Sequence, residues 1–559
     1  MPLLDSLDPS LSSLEKKPER NFVRIISSTM IVLNILSIIS SILFLFDLQM
    51  ASFLNVFGVV LLLTFIGNIV VAALPSNKQT LDQGYLLFAI LAMFLLPVIN
   101  TVASNNPFNQ DSTSWLSSTI LFLLLGFGTV VAWTKRTGSN SVFVGSPSLE
   151  KQSRKAVIGL VLLGLCLLIG LFSAYQLLVG KTGGAIEMFF PGYALFFSIS
   201  TLAITALLIK RKRTKVRVSL AIVGIVIALV FSGPVVATLF ALNEAEHEFT
   251  EVFGKNWGES IPDDASSYFL NTPFSLPNYF FGTGTEDFTF KEDILFYEGK
   301  EGVDKNIKLY FDAYLPPGNG EALPGNRSVL IRIHGGGWTI GDKGAGNNAE
   351  VNKYFASQGY VVFDVQYGLS SEEKFVDFAP VPENIVADFT IDDMVRHIGI
   401  FTDYLVKNNN EFKGDLDTVF VSGASAGGQL ANAVGLGLAS GQYTDMLNPA
   451  LKVKGIIPIY PANGLARHVG IDGSDELVDP ALLVTEDSPP ALIFQGTKDG
   501  VVDPSIAKEF DKMYRSQNND GSALIMMPFA GHNGDFYFSS YYNQVFMYYM
   551  ERFMYLNQR

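Results

Sequence analysis

The hexapeptide Gly423-Ala424-Ser425-Ala426-Gly427-Gly428 follows the β-branched run Thr418-Val419-Phe420-Val421. A serine at a sharp strand-to-helix turn, with small residues two before and two after it, is held in a strained conformation that exposes its hydroxyl for nucleophilic attack. The helix expected from near Gln429 aims its N-terminal amides at the same spot. A second Gly-rich element, His334-Gly335-Gly336-Gly337-Trp338, follows the apolar run Val329 to Ile333. Attack on an acyl carbonyl places negative charge on oxygen, and backbone N–H groups already aimed at that oxygen lower the barrier. Gly335, Gly336 and Ala426 are the expected donors.

A serine nucleophile needs a base, and the chain has five histidines: His247, His334, His397, His468 and His532. His247 lies in an acidic segment, His334 belongs to the glycine loop, and His397 sits in a helical run, Ile391 to Lys407. His468 follows the serine too closely. His532 remains, in a loop after the apolar run Ala523 to Pro528, from which it can reach back over the sheet edge. An orienting carboxylate is expected from Gln495 to Asp503, which follows the strand-like run Ala491 to Phe494. Asp499 falls in the turn at the strand's end, where open α/β sheets carry their sites. Asp503 is the reserve, and as an Asp before Pro504 it also suits the N-cap of a helix from Ser505 to Tyr514.

From about Phe288 to Arg559 the chain resembles the α/β-hydrolase esterases and lipases, in particular the hormone-sensitive-lipase-like and feruloyl-esterase-like groups. The matching residues are His334 to Trp338, Gly341-Asp342-Lys343, Gly359 to Val362, Gly423 to Gly428 with Leu430-Ala431, Pro490 to Asp499, and Gly531-His532. The chain order Ser425, Asp499, His532 is also that of the family. The resemblance implies hydrolysis of carboxylic esters through an acyl-enzyme, with no metal or organic cofactor. One departure is Tyr367-Gly368-Leu369, where relatives commonly carry Arg after the Tyr. A serine peptidase of the same fold would share the triad, and a membrane sensor or transport protein with an accessory hydrolase domain is a further alternative.

The other half of the chain is of a different kind. Seven apolar stretches precede Asn243: Ile25 to Phe46, Phe53 to Leu74, Tyr85 to Val102, Trp115 to Trp133, Ala156 to Val179, Met188 to Ile209 and Val218 to Leu242. Each approaches the ~20 residues that cross a hydrocarbon core as a helix. No ionisable residue falls well inside them, since Asp47 and Glu187 sit at edges, and this argues against a proton-coupled pump. Asn34, Asn55, Asn68 and Asn100 are expected to hydrogen-bond between helices. The bundle is expected to anchor or assemble the protein, with substrate presentation or sensing as the other reading.

Of the 17 Lys and Arg before residue 243, 16 lie in the N-terminal tail and the second, fourth and sixth connections, among them Lys78, Lys135, Lys151 and Lys210 to Arg213. Lys181 alone lies in the others. By the positive-inside rule the N-terminus is cytoplasmic and a domain after seven spans is outside. Residues 1–242 carry a balance of +8 and the remainder −22. An acidic soluble domain gives no footing for nucleic-acid binding. The single cysteine, Cys166, excludes an intrachain disulfide. The expected organisation is thus a transmembrane helical domain over 1–242, an aromatic-rich juxtamembrane or cap segment over 243–287, and a hydrolase domain over 288–559. That last domain is expected to have a mostly parallel sheet with helices on both faces. Expected partners are the lipid bilayer and an ester, whether lipid, polysaccharide ester or small molecule; oligomeric state is not legible.

Overall fold

The computed structural model describes residues 9–46, 50–108, 112–138, 154–210, 214–344, 348–377, 379 and 381–558. Of the charged residues named above, Asp47, Lys151, Arg211, Lys212, Arg213 and Arg559 lie outside the described residues. The N-terminal half is a bundle of α1 (Pro9–Leu45), α2 (Ala51–Ala73), α3 (Gln79–Ser104), α4 (Ser112–Gly138), α5 (Arg154–Val179), α6 (Ala185–Ile209) and α7 (Thr214–Phe253). All seven are long and apolar enough to cross a membrane. Their outward faces carry Val56, Leu63, Leu168, Ile169 and Leu229, exposed side chains that suit lipid and would be a liability in water. Asn34 and Asn68 turn inward and exchange hydrogen bonds of 2.8 and 2.9 Å, whereas Asn55, expected to act in the same way, faces outward.

Several helices run further than hydropathy predicts, α3 and α7 with most consequence for the packing. α3 begins at Gln79, which brings Asp82 into its first turn; there its carboxylate meets Lys135 at 2.9 Å and Lys210 at 2.7 Å. Such a buried charge is tolerable because it is paired. α7 continues past Leu242 to Phe253 because Ala245 and Phe249 are buried, with Phe249 against Tyr549, while Glu244 and His247 face out.

The C-terminal half begins with short helices α8 (Asp263–Ser266) and α9 (Leu276–Phe281). Its strands are β1 (Thr289–Glu298), β2 (Lys308–Leu315), β3 (Ser328–Ile333), β4 (Val361–Val365), the brief pair β5 (Leu369–Ser370) and β6 (Val386–Ala387), β7 (Asp415–Ala424), β8 (Val453–Ile459), β9 (Ala491–Gly496) and β10 (Ser522–Met527). Eight of them form one sheet in the order β1-β2-β4-β3-β7-β8-β9-β10, antiparallel across β1, β2 and β4 and parallel from β4 onward. Parallel neighbours require crossovers. These include α10 (Asn348–Ser357), α11 (Ile391–Phe412), α12 (Ala426–Ser440) and α14 (Pro504–Ser516), with the short α13 (Asp475–Val478) before β9 and α15 (Tyr541–Asn557) closing the chain. This is an α/β-hydrolase arrangement, and it gathers the loops after β3, β7, β9 and β10 at the sheet's carboxyl edge.

Side chains alternate across the sheet with the period of two that a strand imposes. Val329, Ile331, Val419 and Val421 face the core that includes α11, α12 and α14. Leu330, Val362, Phe420 and Leu492 face a second core, which includes α10 and α15 and continues without a break into the bundle. The aromatic segment between α7 and β1 is the join. Phe280 meets Phe65 of α2 at 5.3 Å, and Tyr279 stacks on Phe196 of α6 at 4.6 Å and on Tyr541 of α15 at 5.7 Å. Asn100 of α3 donates to the Phe280 carbonyl at 3.3 Å and to the Tyr537 hydroxyl at 3.0 Å, so it ties bundle to hydrolase as well as helix to helix.

Tyr279→Ala should therefore destabilise both halves together, by about 3–5 kcal/mol as for other large buried aromatics. Thermal unfolding in detergent, followed by far-UV signal and by proteolysis of the hydrolase half, should show one transition shifted down. Two independent transitions with only one displaced would contradict a shared core.

Candidate functional site

Ser425 sits between β7 and α12 at φ 57° and ψ −122°. This is a strained backbone for a residue with a side chain, and it persists because the turn is closely packed on both sides. A methyl group on Gly427 would lie 2.2 Å from the Ile333 carbonyl and 2.4 Å from that of His334, so only glycine fits there. The His334 loop leaves β3 beside the serine, held in part by the Tyr367 hydroxyl, which donates to the His334 carbonyl at 3.1 Å. Trp338 donates its indole N–H to Gln429 of α12 at 2.9 Å, fixing the loop's far end on the helix that follows Ser425. Gly335 lies against the elbow, where a methyl group on it would come 2.7 Å from the Ala424 carbonyl, and Ala426 opens α12.

His532 lies in the loop after β10, with Nε2 at 2.9 Å from Ser425 Oγ and Nδ1 at 2.9 Å from Asp499 Oδ2. An ionised Asp499 only accepts, so the Nδ1 proton points to it and Nε2 is left to accept from the serine. The second Asp499 oxygen accepts the backbone N–H groups of Val501 at 2.9 Å and Val502 at 2.8 Å. Asp499 is 0 % exposed, His532 2 % and Ser425 9 %, so the line of hydrogen bonds is shielded and opens at the serine.

Asp503 is not brought to His532. Its Oδ1 accepts from Ser505 N at 2.9 Å as the N-cap of α14, and its other oxygen meets Lys181 at 3.2 Å. The remaining histidines stand apart. His247 pairs with Glu251 on the surface, and buried His334 stacks on Tyr367. His397 accepts from Gly368 N at Nδ1 and meets Asp304 at 3.0 Å through Nε2. A side chain on Gly368 would collide with Phe389 and His397, which explains why no arginine follows Tyr367. Among the described residues no group of three or more His, Cys, Asp or Glu is placed to hold a metal ion.

Sequence reasoning missed Tyr460 and Asp535. The Tyr460 ring lies 4.5 Å from His532, and its hydroxyl donates to Asp535 at 2.6 Å. Burial pushes the Asp535 carboxyl up, opposed by the Tyr460 hydroxyl, Arg332 and His532. The available signal was position, since Tyr460 directly follows β8 at the carboxyl edge.

The family model described as BD-FAE matches residues 311–472. Esterase LipC of Mycobacterium tuberculosis (strain ATCC 25618 / H37Rv) is 26% identical over 230 residues, which cover 37% of this chain and 53% of that protein. A probable carboxylic ester hydrolase of the same organism, LipM, is 23% identical over 235 residues, covering 38% and 51%. The chain spans about half the length of the curated relatives it matches. Solved structures similar to it include an inhibited esterase B from Lactobacillus rhamnosis, at TM-score 0.37 and 19% identity over 47% of this chain and 85% of that one. The apo form of Thermogutta terrifontis esterase 2 matches at TM-score 0.35 and 19% identity, over 47% and 90%.

The Asp304 contacts give a pH dependence. Burial opposes its charge, but hydrogen bonds from His397, Arg396 and Tyr297 outweigh burial and hold the carboxyl well below the usual range. A folded-state value below the unfolded one adds stability that is present above about pH 4 and lost as pH falls further. Asp304→Asn should lower stability near pH 7 by about 1.5 kcal/mol, as for a hydrogen bond to a charged group. Denaturant titrations should show the gap closing below pH 4, and a gap independent of pH would contradict this assignment.

Proposed function

We propose that the protein is a membrane-embedded serine hydrolase that cleaves carboxylic esters, with Ser425, His532 and Asp499 as its triad and the hydrolase region outside the cytoplasm. The observation that carries this reading is the buried line Asp499–His532–Ser425 beside a glycine-rich loop, in a chain whose relatives include named esterases. His532 takes the Ser425 proton as Oγ attacks the ester carbonyl, and Asp499 stabilises the imidazolium that forms. The backbone N–H groups of Gly335, Gly336 and Ala426 receive the oxyanion. His532 then protonates the departing alcohol, and water repeats the sequence on the acyl-enzyme to release the acid.

The orientation is supported by where the basic residues fall. The hydrolase region packs on the helix ends near Asn106, Gly180 and Phe253, whereas Lys135 and Lys210 mark the opposite end. The proposed division keeps a helical domain, an aromatic join and a hydrolase domain, although the two larger parts share a core. Lipid, polysaccharide ester and small-molecule ester all remain within the proposed substrate class.

The full-length protein in detergent should hydrolyse short or medium p-nitrophenyl esters, and Ser425→Ala should abolish turnover. Asp499→Asn should lower kcat by about 10⁴, as loss of the orienting carboxylate does in serine hydrolases. Asp503→Asn should retain near wild-type kcat. Amide hydrolysis exceeding ester hydrolysis would favour a peptidase, and full activity in Ser425→Ala would remove the nucleophile assignment.

For topology, a membrane-impermeant maleimide applied to intact cells expressing Cys166→Ser variants should label Asp487→Cys. Lys78→Cys should label only after permeabilisation. The reverse pattern would overturn the proposed orientation.

A further inference from the structure

The connection between α5 and α6 does more than join two apolar helices. Glu187, in the first turn of α6, is buried, and its carboxylate accepts on two sides. One oxygen accepts the backbone N–H groups of Thr182 and Gly183 in its own loop, the latter at 2.7 Å. The other accepts the N–H of Gly500 at 2.8 Å, from the residue directly after Asp499. On the other side of Asp499, the Lys498 carbonyl accepts the Lys181 N–H at 3.0 Å. The peptide groups flanking Asp499 are therefore both tied to the α5–α6 connection.

The base loop rests on the same residue. A methyl group placed on Gly531, next to His532, would lie 2.4 Å from the Glu187 carbonyl, so this loop packs backbone to backbone on the start of α6. The acid and base loops are also joined to each other, through Lys498 N to the Ala530 carbonyl at 2.9 Å and Phe529 N to Thr497 Oγ1 at 3.1 Å. The Lys498 ammonium donates to the Leu178 and Val179 carbonyls, covering acceptors that the end of α5 leaves open.

We infer that Glu187 is a positioning residue: through the Gly500 N–H and the Gly531 contact, the membrane bundle sets the distance between Asp499 and His532. The bundle is then part of what makes the site competent as well as an anchor. This inference rests on the serine-hydrolase reading above and deepens it. Orientation errors near 1 Å are enough to affect rate strongly, while substrate binding away from the acid loop is left alone.

The test uses the full-length protein with Glu187→Gln and Glu187→Ala. A carboxamide cannot accept from both sides, because its NH₂ must face either Gly500 N–H or the Thr182–Gly183 pair. Two readouts are followed against pH: the labelling rate of Ser425 by a fluorophosphonate, which needs no knowledge of the ester, and kcat and KM on p-nitrophenyl esters. Glu187→Ala should lower labelling and kcat by about ten- to a hundredfold, with KM nearly unchanged. Glu187→Gln should fall between it and wild type.

The acid limb of both profiles should move to lower pH, because a carboxylate held less firmly against His532 favours its charged form less. A purely structural role for Glu187 would lower the yield of folded protein without moving that limb. If Glu187→Ala does not accumulate, the isosteric Gln variant carries the test. Wild-type labelling rate and an unshifted limb in folded Glu187→Gln overturn the inference. Wild-type protein that labels at Ser425 but cleaves no ester overturns the ester reading alone, whereas wild-type protein that does not label overturns both.

Discussion

Everything in the hydrolase half is arranged around the requirement that three side chains from three separate loops meet within hydrogen-bond reach. Ser425 comes from the end of β7, Asp499 from the end of β9 and His532 from the end of β10. A line of two 2.9 Å contacts leaves no slack in strand register, since a slip of one residue would turn each side chain to the other face. Parallel pairing from β4 to β10 fixes that register, and the two apolar cores hold it by the alternation of Val329 and Leu330, or of Val419 and Phe420. The strained φ of Ser425 is the local expression of the same constraint.

The bundle enters this arrangement as a structural neighbour of the site. Its connection between α5 and α6 touches the acid loop, while Asn100, Tyr193 and Phe196 reach Tyr537 in the loop that carries His532. Aromatic side chains suit such a join because they bury large apolar area and still offer a hydroxyl where a polar partner exists. Tyr537 donates to the Tyr279 carbonyl at 2.6 Å, and Tyr279 to that of Gly192 at 3.1 Å. At the far end, Asp82 with Lys135 and Lys210 closes the bundle by charge pairing. One end of the bundle is thus held by ion pairs and the other by rings and the hydrolase itself.

Much of this was legible in the sequence, for reasons that differ by residue. The elbow at Ser425 and the loop at His334 are local devices, dictated by backbone turns a few residues long, so their composition reveals them. The seven long apolar helices were legible because hydropathy over some 20 residues is a strong signal. Asp499 and Asp503 lie in one loop, and only three-dimensional placement separates the carboxylate that meets His532 from the one that caps α14. The extension of α7 was hidden because charge returns after Leu242, although Ala245 and Phe249 keep one face buried. Glu187, Tyr460 and Asp82 take their meaning from partners far away in the chain, and no local pattern announces such contacts.

The serine-hydrolase proposal requires that Ser425 be acylated during turnover, and trapping that intermediate puts the requirement to the test. Full-length protein is mixed with p-nitrophenyl butyrate, quenched in acid within the burst and mapped by peptide mass spectrometry. The expected result is a butyryl group on the peptide that contains Ser425, absent after hydroxylamine treatment. Turnover with an unmodified Ser425, or with the acyl group on a different residue, would contradict it.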